Sequence, residues 1–137
     1  MGYTHYFRRD FSQASNSSSS YDAFTDGVKN IVKHADVPVD VSITENYVRV
    51  NGVGADGHED FYWTKLADTG FNFCKTAEKP YDAVVTACLL WLKECYGEAV
   101  TISSDGYWHE WLPGRRLFAE AFDYNAEFPF VEEKVVS

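Results

Sequence analysis

The fold is decided by YDAVVTACLLWLKECYG, residues 81–97, a stretch that follows Pro80 and ends on a glycine. Its apolar residues lie almost all the way round a helix, so we expect this helix to be buried on most sides. Gly97 stands where a glycine commonly ends a helix in the left-handed conformation. The sequence therefore predicts a buried helix over residues 81–96, with the other elements packed around it.

Outward from this helix, the pattern alternates between strands and helices. Helical spacing predicts a helix that follows Ser20 and stops before Pro38, and a last helix over residues 108–122 that Pro113 and Gly114 interrupt or delay. Period-two alternation, bounded by turn residues, predicts strands near residues 3–8, 39–44, 47–51, 59–64, 71–76 and 100–103. This order favours an α+β fold, with a mainly antiparallel sheet of about four to six strands and two or three helices packed on it.

The length of 137 residues is about that of one domain, and we find no internal repeat, so we predict a single domain over residues 1–137. Residues 12–20 are rich in serine and predict a flexible loop whose last serine caps the following helix. Residues 124–137 predict an acidic C-terminal tail that is docked only loosely.

The charge and the cysteines limit the class of function. A net charge of −9 disfavours direct, general nucleic-acid binding, although it suits a soluble protein or one that attracts a basic partner. The three cysteines are an odd number without a CxxC pair and indicate reduced thiols. No apolar run approaches the roughly 18 residues of a membrane span, and the first residues do not form a signal peptide. The rings, at 17% of residues, fill the core or line a site.

Two of four polar segments lie in the first half of the chain. In a strand GYTHYFR (residues 2–8), Tyr3 and His5 point to one face, whereas Tyr6 and Arg8 point to the other, so one face presents rings to a ligand or the rings pack inward. NGVGADGHED (residues 51–60) holds three glycines followed by His58 and Glu59. It fits an anion-binding loop, a metal site or a plain hairpin loop. No metal-ligand spacing is present, so we predict neither a metal nor a cofactor.

The third segment, residues 71–82, leads into the buried helix. The free N–H groups at a helix start, with Lys75 beside them, favour a carboxylate or a phosphate, and Thr76 and Tyr81 lie in the same segment. Asp82 serves either the ligand or only the helix dipole. Cys74 is a nucleophile only if a histidine from elsewhere in the chain approaches it.

The fourth segment, SSDGYWHEW (residues 103–111), also runs from a strand to a helix start, where Ser104 or Asp105 caps the helix. Trp108, Trp111 and Arg115 fall on nearly one face. Two rings and a guanidinium in a row suit stacking against a planar base, and they equally suit packing in the core.

These segments together resemble a family of small uncharacterised proteins from tailed phages and prophages. The resemblance rests on GYTHYFR, NGVGADGHEDF (residues 51–61), FCKTAEKPYDAVV (residues 73–85) and SSDGYWHEW followed by GRRL. Members commonly have Trp in place of Phe7 and a basic residue in place of Glu78. The resemblance implies a phage origin and the cytoplasm of a bacterial host, and it implies no particular activity.

Three functions remain open, and binding of a small planar anionic ligand is preferred. Such a ligand is of the nucleotide type, for instance a signal of host immunity that the protein sequesters. The alternatives are an acidic inhibitor of a host defence protein that imitates nucleic acid, and a small hydrolase-like enzyme; a homo-oligomer is compatible with each. The expected ligand-binding residues are Tyr3, His5, Tyr6, Arg8, His58, Glu59, Lys75, Thr76, Tyr81, Asp82, Ser104, Asp105, Trp108, Trp111 and Arg115.

Overall fold

A computed structural model describes residues 3–66 and 70–130 of the chain. Within these residues it contains three α-helices and six β-strands, so the predicted α+β class is confirmed. The strands are β1 (Thr4–Arg9), β2 (Val39–Ile43), β3 (Tyr47–Gly52), β4 (Phe61–Thr64), β5 (Phe71–Lys75) and β6 (Val100–Ser104). The helices are α1 (Ser18–His34), α2 (Asp82–Tyr96) and α3 (Leu112–Phe122).

The strands form two antiparallel sheets of three strands each, rather than one larger sheet. The first sheet has the order β5-β1-β6, and the second has the order β2-β3-β4. β1 is therefore a central strand, and it pairs with partners that lie far along the chain: His5 is opposite Cys74 on one side and Ser104 on the other. The second sheet pairs only neighbouring strands. Helix α2 is the predicted buried helix, and Gly97 ends it with a φ of 51°.

Side chains of β1 that point inward belong to the core. His5, Phe7 and Arg9 are all buried, and Phe7 contacts the rings of Phe61 and Trp63 at centroid distances of 5.3 and 6.0 Å. The core is rich in aromatic rings, and this accounts for part of the high aromatic content of the sequence. No helix in the described ranges is both long and apolar enough to cross a membrane.

Helix α1 begins earlier than predicted. Ser18 is its first residue, so that Ser18 and Ser20, which we expected in a loop, form its first turn. Ser17 is the N-cap: its Oγ accepts a hydrogen bond from the amide of Ser20 at 3.2 Å. A hydroxyl in this position satisfies a helix-start N–H group, which is why a serine run continues into a helix rather than staying a loop.

The last helix is delayed, as predicted, because a 3-10 turn (Trp108–Trp111) precedes α3 and Pro113 lies in the first turn of α3. The chain then returns to the first sheet, where Phe130 forms a parallel bridge with Ile102 and lies 4.9 Å from the ring of Trp111. Phe130 is buried, so loose docking was the wrong prediction for this part of the tail. Residues 131–137 lie outside the described residues.

Candidate functional site

Three of the four polar segments meet at one end of the first sheet. β1 is antiparallel to both its neighbours, so its beginning lies beside the ends of β5 and β6. The amides of Thr76 and Ala77 donate to the carbonyl of Tyr3 at 3.1 and 3.3 Å, and the amide of Asp105 donates to the carbonyl of Thr4 at 2.9 Å. Segments one, three and four therefore converge at this end of the sheet.

The centre of this convergence is a hydrogen-bonded group that we call the His5 cluster: His5, Thr76, Asp82 and Ser104. The imidazole Nε2 lies 2.6 Å from Asp82 Oδ1, and Nδ1 lies 2.7 Å from Ser104 Oγ. Thr76 donates its hydroxyl to the same Asp82 oxygen at 2.6 Å. His5 has no exposed surface, and thus it cannot touch a ligand in this conformation.

The His5 cluster has the residue types of a Ser-His-Asp triad but not the access that one needs. Ser104 Oγ accepts hydrogen bonds from the amide of Gly106 at 2.9 Å and from Trp111 Nε1 at 3.3 Å. These two bonds occupy its lone pairs, so its proton is directed to His5 Nδ1, and His5 donates from Nε2 to Asp82. Ser104 is only 4% exposed. An oxygen that is buried and saturated in this way ties β1, β6 and α2 together rather than attacking a substrate.

Tyr3 covers the His5 cluster at the end of the first sheet. Its ring meets that of His5 edge-on at 5.2 Å, and its hydroxyl occupies the space where a Cβ on Gly106 would lie, 2.2 Å away. Burial, more than any other cause, raises the pKa of Tyr3 far above its ordinary value, and four carboxylates add to the effect: Asp82, Glu110, Glu78 and Asp105. Carboxylates therefore lie close to the helix start at which the sequence predicted an anion site, as does Lys75, which is opposite Thr4.

The second segment packs along the outer edge of β5. Its contacts there are structural and involve four of the predicted ligand-binding residues: His58, Glu59, Lys75 and Tyr81. Glu59 accepts a hydrogen bond from the amide of Lys75 at 3.0 Å, and its carbonyl accepts one from the Tyr81 hydroxyl at 2.6 Å. The ring of His58 contacts the carbonyl of Lys75 at 2.9 Å. These contacts fasten the loop to β5. Tight packing explains Gly52, because a Cβ there would lie 2.2 Å from the carbonyl oxygen of Asp56. In the described part of the chain, no three His, Cys, Asp or Glu residues are grouped to hold a metal ion.

The ring-and-cation stripe of the fourth segment forms, with Trp111 buried and with Trp108 and Arg115 half-buried. The Arg115 guanidinium carbon lies 4.2 Å from the Trp108 ring centroid. Trp111 has no exposed surface and is held between His5 at 5.0 Å and Phe130 at 4.9 Å. The stripe therefore does not share one hollow with His5 and Lys75, and core packing is its main use.

The opposite side of the first sheet carries a second cluster, the outer face: Tyr6, Arg8, Phe71 and Phe73. Phe71 and Phe73 are 44% and 55% exposed, and their rings are 6.1 Å apart. Tyr6 stacks loosely on Phe71 at 6.3 Å, with 23° between the ring planes, and the Arg8 guanidinium lies 5.2 Å from the Phe71 centroid. Our prediction included Tyr6 and Arg8 but missed the two phenylalanines.

Arg8 and Arg49 each lie on the central strand of a sheet, but they differ in their ion pairs. Within residues 3–66 and 70–130, Arg8 has no ion pair, whereas Arg49 in the second sheet contacts Asp40 at 3.0 Å and Asp60 at 3.3 Å. The contact with Asp40 is the first cause that raises the pKa of Arg49. Among the residues that the structure describes, no carboxylate therefore pairs with the charge of Arg8.

A surface cavity of about 690 Å³ opens beside the outer face and shares Arg8 and Phe71 with it. Its remaining charged lining residues are Arg9, Asp10 and Glu98. The Asp10 carboxylate is already occupied by Ser12, which donates from its amide at 3.0 Å and from its hydroxyl at 2.6 Å. Space, rings and a cation therefore meet at this corner of the sheet.

Comparisons with family models, with curated proteins and with solved structures return no match to this chain. The resemblance to small tailed-phage proteins stays a prediction. The candidate site is accordingly defined by its geometry alone, and of the two clusters only the outer face is open to a ligand.

Proposed function

We propose that the chain binds a small, planar, anionic ligand of the nucleotide type on the outer face of its first sheet. The observation that supports this most is the placement of Arg8 over the exposed ring of Phe71 in the middle of a sheet, where no carboxylate of the described part of the chain forms an ion pair with it. Neighbouring exposed rings mark binding surfaces, and an arginine beside them adds attraction for an anion.

The energetics suit a ligand that combines a flat ring system with a negative group. Stacking of a base on an aromatic side chain contributes about 1–3 kcal/mol per base, and it does not depend on which base is bound. A charge-assisted hydrogen bond from Arg8 to a phosphate adds about 1.5–3 kcal/mol. The net charge of −9 repels anions from most of the surface, so affinity depends on the local cation.

The size of the site favours a small molecule over a long polymer. The cavity of about 690 Å³ falls within the usual range of ligand pockets, roughly 300–1,000 Å³. The outer face lies on only two strands, β1 and β5. A long nucleic acid would need a row of cations, and the chain has 12 basic residues against 21 acidic ones.

Binding without chemistry is the form of the proposal that the described residues favour. The histidine and the serine of the His5 cluster, His5 and Ser104, are buried on the other side of the sheet. A protein that holds a ligand unchanged sequesters it, and together with the resemblance to phage proteins this extends the proposal to a nucleotide signal of bacterial immunity. Binding to a host defence protein remains the alternative outcome if no nucleotide binds.

Calorimetric titration with linear and cyclic nucleotides tests the proposal. We expect saturable binding of at least one nucleotide, and roughly tenfold weaker binding after Arg8→Gln, because a charged contact to the phosphate is lost. Arg49→Gln is the matched control, since it removes a sheet-surface arginine that two carboxylates already neutralise. Chromatography of the recovered nucleotide is expected to show it unchanged. A flat response to the whole panel, or equal effects of the two substitutions, would refute the proposal.

A further inference from the structure

Beyond the outer face, the cavity contains a further exposed ring, that of Phe11. Phe11 is 51% exposed and lines the cavity of about 690 Å³ together with Arg8 and Phe71. Its ring packs on Gly70, where an added Cβ would lie 3.4 Å from Phe11 Cε2. The guanidinium carbon of the buried Arg9 lies 6.0 Å from the centroid of the same ring. These contacts hold the ring of Phe11 at the wall of the cavity.

Arg8 therefore lies between two ring surfaces. On one side are the rings of the outer face, where Tyr6 is opposite Phe73 in the register of β1 and β5. Tyr6 and Arg8 are successive residues on this face of the strand, roughly 7 Å apart. On the other side, three residues after Arg8 in the chain, is Phe11 in the cavity. A ligand whose central group contacts Arg8 can thus place a ring on either side of it.

The charges along this path favour a ligand with its negative group at the centre and uncharged groups at both ends. At the start of β1, Lys75 and Asp105 bring opposite charges to one end of the path. In the cavity, the carboxylates of Asp10 and Glu98 accompany the guanidinium of Arg9. Both ends therefore combine hydrogen-bond donors with acceptors, which suits the polar edge of an uncharged base better than a second phosphate.

We infer that the ligand is a dinucleotide, in which two bases are joined through a phosphate that Arg8 binds. This inference rests on the proposed function. One base stacks on the rings of the outer face, and the other stacks on Phe11. Bases that are splayed apart, rather than stacked on each other, are bound in this way on separate aromatic side chains. A mononucleotide uses only one of the two ring surfaces, so the second base should raise the affinity.

Titration of the intact protein with the dinucleotides ApA and GpG, each compared with its own monophosphate, AMP or GMP, tests the inference. We expect at least one dinucleotide to bind roughly tenfold more tightly than its monophosphate, because a second stacked base typically contributes such a factor. The monophosphate carries the larger negative charge, so attraction by charge alone predicts the reverse order. In Phe11→Ala we expect the preference for the dinucleotide to disappear, while binding of the monophosphate stays within about twofold of the wild type.

Phe11→Leu is a second variant, because leucine keeps an apolar contact with Gly70 but offers no ring, and it should lose the preference as well. Tyr62→Ala is the matched control, since it removes a ring that is 47% exposed on the second sheet, and it should keep the preference.

Each outcome of these titrations bears on a different claim. Equal affinity of the wild type for dinucleotides and monophosphates would overturn the inference and leave the proposed function in place. The inference would also fail if both Phe11 variants kept the preference, or if they lost the monophosphate together with the dinucleotide at an unchanged melting temperature. Absence of binding to any nucleotide would instead overturn the proposed function, and the inference with it.

Discussion

The two faces of strand β1 carry similar residue types in opposite circumstances. On the inner face His5 is fully buried, and its two ring nitrogens contact Asp82 and Ser104. On the outer face Arg8 is exposed and has no ion pair within the described ranges, and it lies over a ring that is itself exposed. The inner face carries the residue types of a catalytic site, but they are buried. The outer face carries side chains that are exposed to solvent. A binding site needs side chains that are exposed to a ligand, and suitable residue types alone do not make one.

The comparison predicts that the inner face controls stability. In Asp82→Ala the buried imidazole loses its charged partner and Thr76 loses its acceptor, so we expect a loss of about 3 kcal/mol in the free energy of unfolding, measured by urea denaturation. Asp40→Ala removes an exposed carboxylate paired with Arg49 and should cost less than about 1 kcal/mol. If Asp82→Ala abolished nucleotide binding without a loss of stability, the His5 cluster would be the site instead.

High pH should also weaken the protein through the inner side of the sheet. Burial raises the pKa of the Cys74 thiol to about 12, compared with 9.0 in a free thiol. Between about pH 9 and pH 12 the thiol ionises in the unfolded chain but not in the folded one, so the stability falls as the pH rises through this window. Urea midpoints at about pH 8 and pH 10 measure the loss, which Cys74→Ala should reduce. Equal midpoints at the two pH values would contradict the burial of this thiol.

The outer face, in contrast, should control affinity. Phe73→Ala removes a ring that is 55% exposed, and we expect roughly tenfold weaker nucleotide binding with a change in stability within about 0.5 kcal/mol. Tyr62→Ala is the control, because Tyr62 is 47% exposed on the second sheet and should leave binding unchanged. Calorimetry and urea denaturation of both variants give the two values. Equal loss of binding in both would mean that exposed rings in general, and not this face, hold the ligand.

The smallest effect is expected for Tyr6→Phe. This change keeps the ring and removes only the 3.4 Å contact of the hydroxyl with Asp105. Because this contact is long and the ring stays in place, the dissociation constant for the nucleotide that binds should change by less than about threefold, as measured by titration. A loss of tenfold or more would show that the Tyr6 hydroxyl contacts the ligand directly.

Much of the fold follows from local sequence patterns. Helix α2 and its end at Gly97 could be predicted because apolar spacing and a glycine cap act within a few residues. The division of the strands between two sheets could not, because β1 pairs with residues from two distant parts of the chain. The early start of α1 was missed because Ser17, not Ser20, supplies the capping hydroxyl.

The candidate site was predicted only in part, for a related physical reason. Alternation along β1 correctly separates His5 from Tyr6 and Arg8, but alternation does not say which side the helices cover. Which side is covered depends on tertiary packing, and in this fold the covered side is the one that carries His5. A signal for the missed rings was present, since Lys75 falls on the same face of β5 as Phe71 and Phe73 and marks that face as solvent-exposed.

The central position of β1 also sets an order of events during synthesis. His5 bonds to residues 77 and 99 positions further along, whereas the second sheet joins strands that are neighbours in the chain. Contacts over such separations are slow to form, so on the ribosome β1 emerges before every other strand and waits until β6 has been made. We therefore expect nascent chains to form the second sheet first, and the first sheet to be completed only after β6 has been made.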